Sequence, residues 1–332
     1  MASVTASLII SANDRTRPIL SGAVKPERAD LTVTEGNPSD IFWRQLHAAE
    51  FDISEMSLSS YMRLIDRGDR TWVGLPVFPY GRHFFHTWFL VRRDAGIEAP
   101  ADLKEKRIGV PEYQITSAVW SRGVLQEEFG VRPEDIIWYM GRTREYSHGT
   151  AMGSGVPAGI RCEHLPKDKE MAQMLLDGEL DGIAIYFRQR TIVDRSQIDL
   201  HAHPAVKTLF PDPVAEGIRY YNKTNIHPIN HCVVVRRTLA ERHPWLVMDI
   251  CRMFEKAKAF SYAQNTEKAE ALRRTGRLSA EACEAMSADP FPYGLKENRH
   301  IIEKLAQYVH EQGLTSRRIS VEEIFDPSML DL

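Results

Sequence analysis

Apolar runs of strand length alternate with segments of helical period from the start of the chain: SLIIS, LTVTEG, the helical SDIFWRQLHAAE, FDISEMS, then the helical SLSSYMRLIDRG. That alternation commits the chain to an α/β fold, because periods of 2 and 3.6 bury different faces and must pack as separate layers. WVGLPVFPY and HTWFLVRRD follow as two β-rich runs around Gly81, which predicts a strand pair from Trp72 to Arg92 closing a first lobe. After the connector DAGIEAPADLKEK a second α/β series opens at RIGVPEY. It continues through a helix from about Thr116 to Phe129, the strand DIIWYMG, a helix from about Lys167 to Leu180 and the strand DGIAIYF. HCVVVRR (231–237) has few strand companions nearby and is expected to pair with the first lobe's sheet, while HPWLVMDICRMFEKAKAFSYAQ is a periodic helix. Two crossings between lobes make a cleft with a hinge. The expected boundaries are 1–95 with 226–332 for the first lobe and 96–225 for the second.

Length and charge limit what such a chain can serve. Its 332 residues suit two domains, and 43% hydrophobic with 26% charged residues is a globular balance that excludes a disordered or disulfide-scaffold protein. Lys plus Arg is 42 against Asp plus Glu 45, a net charge of −3 that argues against a nucleic-acid partner and for a small one. Cys162, Cys232, Cys251 and Cys283 form no CxxC pair and read as reduced core residues. The segment MASVTASLIISANDRTR lacks a basic start and a long apolar run, so a cytoplasmic location is expected. No stretch approaches the roughly 18 apolar residues of a spanning helix, so no membrane partner is expected. A homo-oligomer is left open.

In open α/β sheets, ligands meet the loops at the carboxyl ends of strands. Those positions are polar in this sequence. Ser57 to Ser60, Ser59 among them, and Thr116-Ser117 sit at helix starts, where hydroxyls and free N–H groups can hold an anion or simply cap the helix. Arg15, Arg17, Arg82 and Arg188 can clamp carboxylates or form surface and inter-lobe ion pairs. His86 and His231 offer acid-base groups beside predicted strands, and Glu112 follows the strand RIGV. His83 with His86, His201 with His203 and His227 with His231 lack an obvious third ligand, so no metal is expected. GSGVPAG, inside the aperiodic stretch between Gly141 and His164, has the wrong glycine spacing for a phosphate loop.

NDRTRPILSGAV, EFDISEMSLSSYM, LPVFPYGRHFFH, RIGVPEYQITSAVWSRGVL, NKTNIHPINHCVVVRR and DPFPYGLKENRHIIEKLAQYVHEQGL together resemble the 4,5-dihydroxyphthalate decarboxylases and their relatives, in order, from first strand to C-terminus. The resemblance implies a two-lobed type II periplasmic-binding-protein-like fold with a ligand cleft between lobes. It also implies a cytoplasmic enzyme that removes CO2 from a small aromatic carboxylate without an organic cofactor. Direct loss of CO2 leaves an aryl carbanion, so a plausible route protonates the ring carbon first, helped by a para hydroxyl. In that chemistry His86 is expected as the ring-protonating acid, Glu112 or His231 as the group handling the hydroxyl, and Arg82 with Arg15 as carboxylate clamps. Thr116 and Ser59 add helix-start hydrogen bonds and Arg188 a further contact. Trp120, Phe85 and Tyr113 can flank the ring, although the helical spacing of Trp120 favours core. A solute-binding protein or sensor that holds an aromatic acid unchanged is the alternative on the same fold.

Overall fold

Central strands buried on both faces require cover on both sides, and the chain meets this with two mixed sheets wrapped by helices. The computed structural model describes residues 4–152 and 156–332. Its strands are β1 (Val4–Ile10), β2 (Ala29–Glu35), β3 (Ile53–Ser57), β4 (Trp72–Leu75), β5 (Leu90–Arg92), β6 (Arg107–Val110), β7 (Ile137–Met140), β8 (Cys162–His164), β9 (Gly182–Ile183), β10 (Val206–Thr208) and β11 (His231–Arg236). Its helices are α1 (Arg17–Leu20), α2 (Pro38–Ala48), α3 (Leu58–Asp66), α4 (Thr116–Phe129), α5 (His148–Ala151), α6 (Met171–Leu176), α7 (Pro213–Thr224), α8 (Arg237–Arg242), α9 (Trp245–Arg274), α10 (Ala280–Ser287), α11 (Arg299–Glu311) and α12 (Val321–Ile324). The first sheet has the order β2-β1-β3-β11-β4 and the second β10-β5-β9-β6-β7-β8. The fold is two-lobed, with a cleft between the sheets.

β11 runs antiparallel between β3 and β4, and its first residue, His231, sits opposite Ser57, the last residue of β3. A strand entered from the far end of the chain therefore starts at the carboxyl edge of its neighbour, where ligands bind. The expected pair from Trp72 to Arg92 is corrected: β4 belongs to the first sheet, whereas β5 pairs with β9 and β10 in the second. Pro76 and Pro79 remove the N–H groups that a continuing strand needs, and Phe85–Trp88 winds into a 3-10 turn, so the chain crosses to the other lobe. β5 thus joins the second sheet, and the crossing falls before residue 90. The expected helix from Lys167 to Leu180 shortens to α6, and the chain turns at Gly178, whose φ of +80° suits glycine.

α4 carries the second lobe's half of the cleft. It is buried from Thr116 through Leu125 and packs on α11 at Gly123, where an added Cβ would lie 2.2 Å from the Tyr308 ring. Trp120 is wholly buried at that contact, edge-on to Tyr308, and so belongs to the core. Cys232 and Cys251 are buried and all four cysteines are free thiols. Among the described residues no helix is long and apolar enough to cross a membrane.

Candidate active site

A cleft lies where the starts of α2, α3 and α4 meet the start of β11. His231 stands in its wall, held edge-on by Phe42 with ring centroids 4.7 Å apart and flanked by Tyr80 at 4.4 Å. Its Nδ1 is 2.5 Å from Glu55 Oε1. Glu55 lies in the middle of β3, fully buried, and its Oε2 accepts from the Ser11 N–H at 3.0 Å and the Ser11 hydroxyl at 2.6 Å. Burial pushes this carboxyl up, but the His231 contact and the two Ser11 donors outweigh it and hold Glu55 below the usual carboxylate range. An ionised Glu55 fixes Nδ1 as the protonated nitrogen and leaves Nε2 for the cleft.

Thr116 lies at the first turn of α4, which begins without a side-chain cap. Its Oγ1 meets Ser57 Oγ at 2.9 Å, accepts from the Ser59 N–H at 3.0 Å and lies 3.0 Å from Ser59 Oγ. Ser59 Oγ donates to the Gln114 carbonyl at 2.7 Å, so these hydroxyls stitch the start of α3 to the start of α4 across the lobes. Ser57, Thr116 and Ser117 line the cleft, whereas Ser59 lies behind them. The uncapped end of α4 presents a partial positive charge and free N–H groups to the cleft, suited to a carboxylate.

Arg142 and His148 are among the groups of the wall that were not expected from the sequence. Arg142 follows β7, and its guanidinium grips Asp194 with two contacts of 2.8 and 3.0 Å, donates to Ser39 Oγ at 2.8 Å and approaches Glu112 at 3.5 Å. Its charge is therefore already balanced. His148 Nε2 lies 2.8 Å from the Ser39 carbonyl, which only accepts, so Nε2 carries the proton. Burial, reinforced by the Arg142 charge, pushes its pKa down to about 4. Glu112 is saturated behind the wall, accepting from the His148 N–H at 2.7 Å, the Ser147 hydroxyl at 3.1 Å, the Gly149 N–H at 3.2 Å and the Gln114 amide.

A 4,5-dihydroxyphthalate decarboxylase from Comamonas testosteroni is 36% identical over 341 residues, covering 100% of this chain and 99% of that protein. The chain belongs to the 4,5-dihydroxyphthalate decarboxylase family. A second 4,5-dihydroxyphthalate decarboxylase, from Pseudomonas putida, is 35% identical over 222 residues, 67% of this chain and 83% of that one. A family model described as an ABC transporter, phosphonate, periplasmic substrate-binding protein matches residues 40–181. The crystal structure of the periplasmic aliphatic sulphonate binding protein SsuA from Escherichia coli superposes with a TM-score of 0.56 at 12% identity, covering 100% of both chains. That likeness is one of fold.

In this family member, several residues expected in the site lie elsewhere. His86 is wholly buried beside α7, its Nε2 3.0 Å from Glu216 and its ring against Phe210 and Tyr220. Arg82 donates to the Pro292 carbonyl and Asn298 Oδ1 at 2.9 and 2.7 Å. Arg15 donates to the Phe78 and Pro79 carbonyls at 3.0 Å each and stacks on Phe291. Arg188 is exposed and paired with Asp199. Each of these arginines is spent on a fixed carbonyl, amide or carboxylate of the fold, and none lines the cleft. Phe85 is buried core, and Tyr113 borders a separate cavity behind the wall. Of the expected residues the cleft wall holds His231, Ser57, Thr116 and Ser117. Among the described residues no three His, Cys, Asp or Glu side chains are arranged to hold a metal ion. Residues 153–155 of GSGVPAG lie outside the described residues.

Proposed function

We propose that the chain is a non-oxidative aromatic decarboxylase, converting 4,5-dihydroxyphthalate or a close hydroxylated aromatic acid to a protocatechuate-type product and CO2. The observation in the cleft that carries this reading is the Glu55–His231 pair, a histidine with its inner nitrogen tied to a buried carboxylate and its outer nitrogen free to serve a ligand. End-to-end relatedness to a 4,5-dihydroxyphthalate decarboxylase supplies the substrate class.

The chemistry follows from placing the acid at the ring. Protonated His231 gives its Nε2 proton to the ring carbon bearing the carboxylate, while the para hydroxyl feeds electron density inward and releases its proton to solvent. The carbon–carboxylate bond then breaks, CO2 leaves, and the bonding pair restores the aromatic ring as a phenolate that takes a proton back. One proton is consumed overall, and His231 reloads from solvent. Glu55 holds the imidazole in the required orientation through Nδ1. Substrate carboxylates meet neutral donors, the uncapped start of α4 with Thr116 and Ser117, instead of the arginine clamps first expected.

Incubation with 4,5-dihydroxyphthalate in deuterated water tests the proposal. Expected are many turnovers of CO2 per protein and a product carrying one deuterium at the vacated ring carbon. Stoichiometric binding with the ligand recovered intact would overturn it in favour of a solute-binding protein.

A further inference from the structure

Asn230 precedes β11 on a backbone pinned at two successive residues. Trp120 Nε1 donates to the Ile229 carbonyl at 2.8 Å, and the Leu58 N–H donates to the Asn230 carbonyl at 3.1 Å. The side chain lines the cleft and is only 8% exposed, yet its Oδ1 is buried with no hydrogen-bond partner among the described residues. Nearby polar groups of the wall are differently placed: Ser57 is held by Thr116, Ser39 by Arg142 and Asn37 by Gln189. A buried amide oxygen without a donor is destabilising and calls for a partner from outside the chain.

The chemistry of that atom selects its partner. An ionised carboxylate only accepts hydrogen bonds and is repelled by an amide oxygen, whereas a phenolic hydroxyl donates to it. The same amide carries N–H donors beside the oxygen, so two adjacent ring hydroxyls match it, one donating to Oδ1 and its neighbour accepting from Nδ2. Rotation of the amide exchanges its ends and preserves the match. Asn230 and His231 are consecutive, so the group facing the hydroxyls and the group delivering the proton ride on one fixed stretch of backbone.

We infer that Asn230 is the specificity-determining residue that selects aromatic acids with ring hydroxyls over the same acids without them. The inference rests on the decarboxylase reading and adds to it the recognition of the hydroxyl end. Its test is the ratio of two constants, the KM for 4,5-dihydroxyphthalate and the inhibition constant of phthalate, which has the carboxylates and no hydroxyls. Asn230→Ala should raise the first about ten-fold, the usual consequence of losing one directed hydrogen bond, and leave the second within about two-fold. Asn230→Leu keeps the side-chain volume and should behave alike, which guards against a variant that fails to fold. Equal movement of both constants, or of neither, overturns the assignment. If the wild type binds both compounds without turnover, the decarboxylase reading fails by itself, and calorimetric affinities for the same two ligands still decide whether Asn230 reads the hydroxyls.

Discussion

Replacing Glu55 by glutamine tests whether the buried carboxylate works through His231. Glu55 accepts two bonds from Ser11 at Oε2 and one from His231 at Oε1. The glutamine oxygen can take the Oε2 position and keep both Ser11 bonds, which turns its NH2 group toward His231 Nδ1. A protonated imidazole would then set N–H against N–H, so the ring must accept at Nδ1 and the doubly protonated form loses its anchor. A hydrogen bond to a charged group is worth about 1.5–3 kcal/mol and a neutral one about 0.5–1.5, a difference of about 1–2 kcal/mol. At 1.4 kcal/mol per factor of ten, kcat should fall about 5- to 30-fold. Steady-state CO2 release from 4,5-dihydroxyphthalate measures it, with thermal melting as control for the fold. The Ser11 bonds survive and one buried charge disappears, so the melting temperature should change little. Wild-type turnover would refute the reasoning that Glu55 acts through His231.

Other residues carry separate expectations. Arg142→Met leaves Asp194 and Glu112 buried without their shared cation and should cost about 3–5 kcal/mol in urea unfolding; an unchanged midpoint would show that the cluster reorganises. His148 has its pKa pushed down to about 4 in the folded chain against an ordinary value of 6.5. Between those values the unfolded state binds the extra proton, so stability is full above about pH 6.5 and declines by about 3 kcal/mol as pH falls to about 4. Urea melts at intervals over that range, on the wild type and on His148→Gln, check the sign, and a parallel decline in both would assign the effect elsewhere. His86→Asn should keep kcat within about two-fold and lower stability, because His86 packs on α7 and meets Glu216; a hundred-fold loss of kcat with binding intact would return it to the chemistry.

The α/β rhythm, the helix from Thr116 to Phe129 and the placing of HCVVVRR in the first sheet were legible because each depends on local period or on the count of strand companions. The destination of β5 was not, since a short apolar run reads alike in either sheet and only long-range pairing chooses. The same divide runs through the site. His231 and Thr116 were legible because each stands at the carboxyl edge of a sheet, a topological property. Arginines proved opaque: a long side chain reaches whichever carbonyl or carboxylate the tertiary fold provides, as Arg82 reaches Asn298 more than two hundred residues away. Arg142 had a signal, since it follows the strand DIIWYMG directly, as the other candidates follow theirs. His148 had none, because its place depends on the Ser39 carbonyl of the opposite lobe.

β11 enters the middle of the first sheet from late in the chain, and this orders events on the ribosome. A nascent chain has β1 to β4 outside the exit tunnel well before residue 236 is made, so for that interval β3 and β4 lack the strand that joins them and Glu55 has no His231. The strands of the second sheet, residues 90–208, are contiguous and meet no such delay. The second lobe can therefore finish first, while the earlier-made lobe waits with an open seam for chaperones to shield. A stop codon ahead of His231 would release a chain with one complete sheet and one that cannot close.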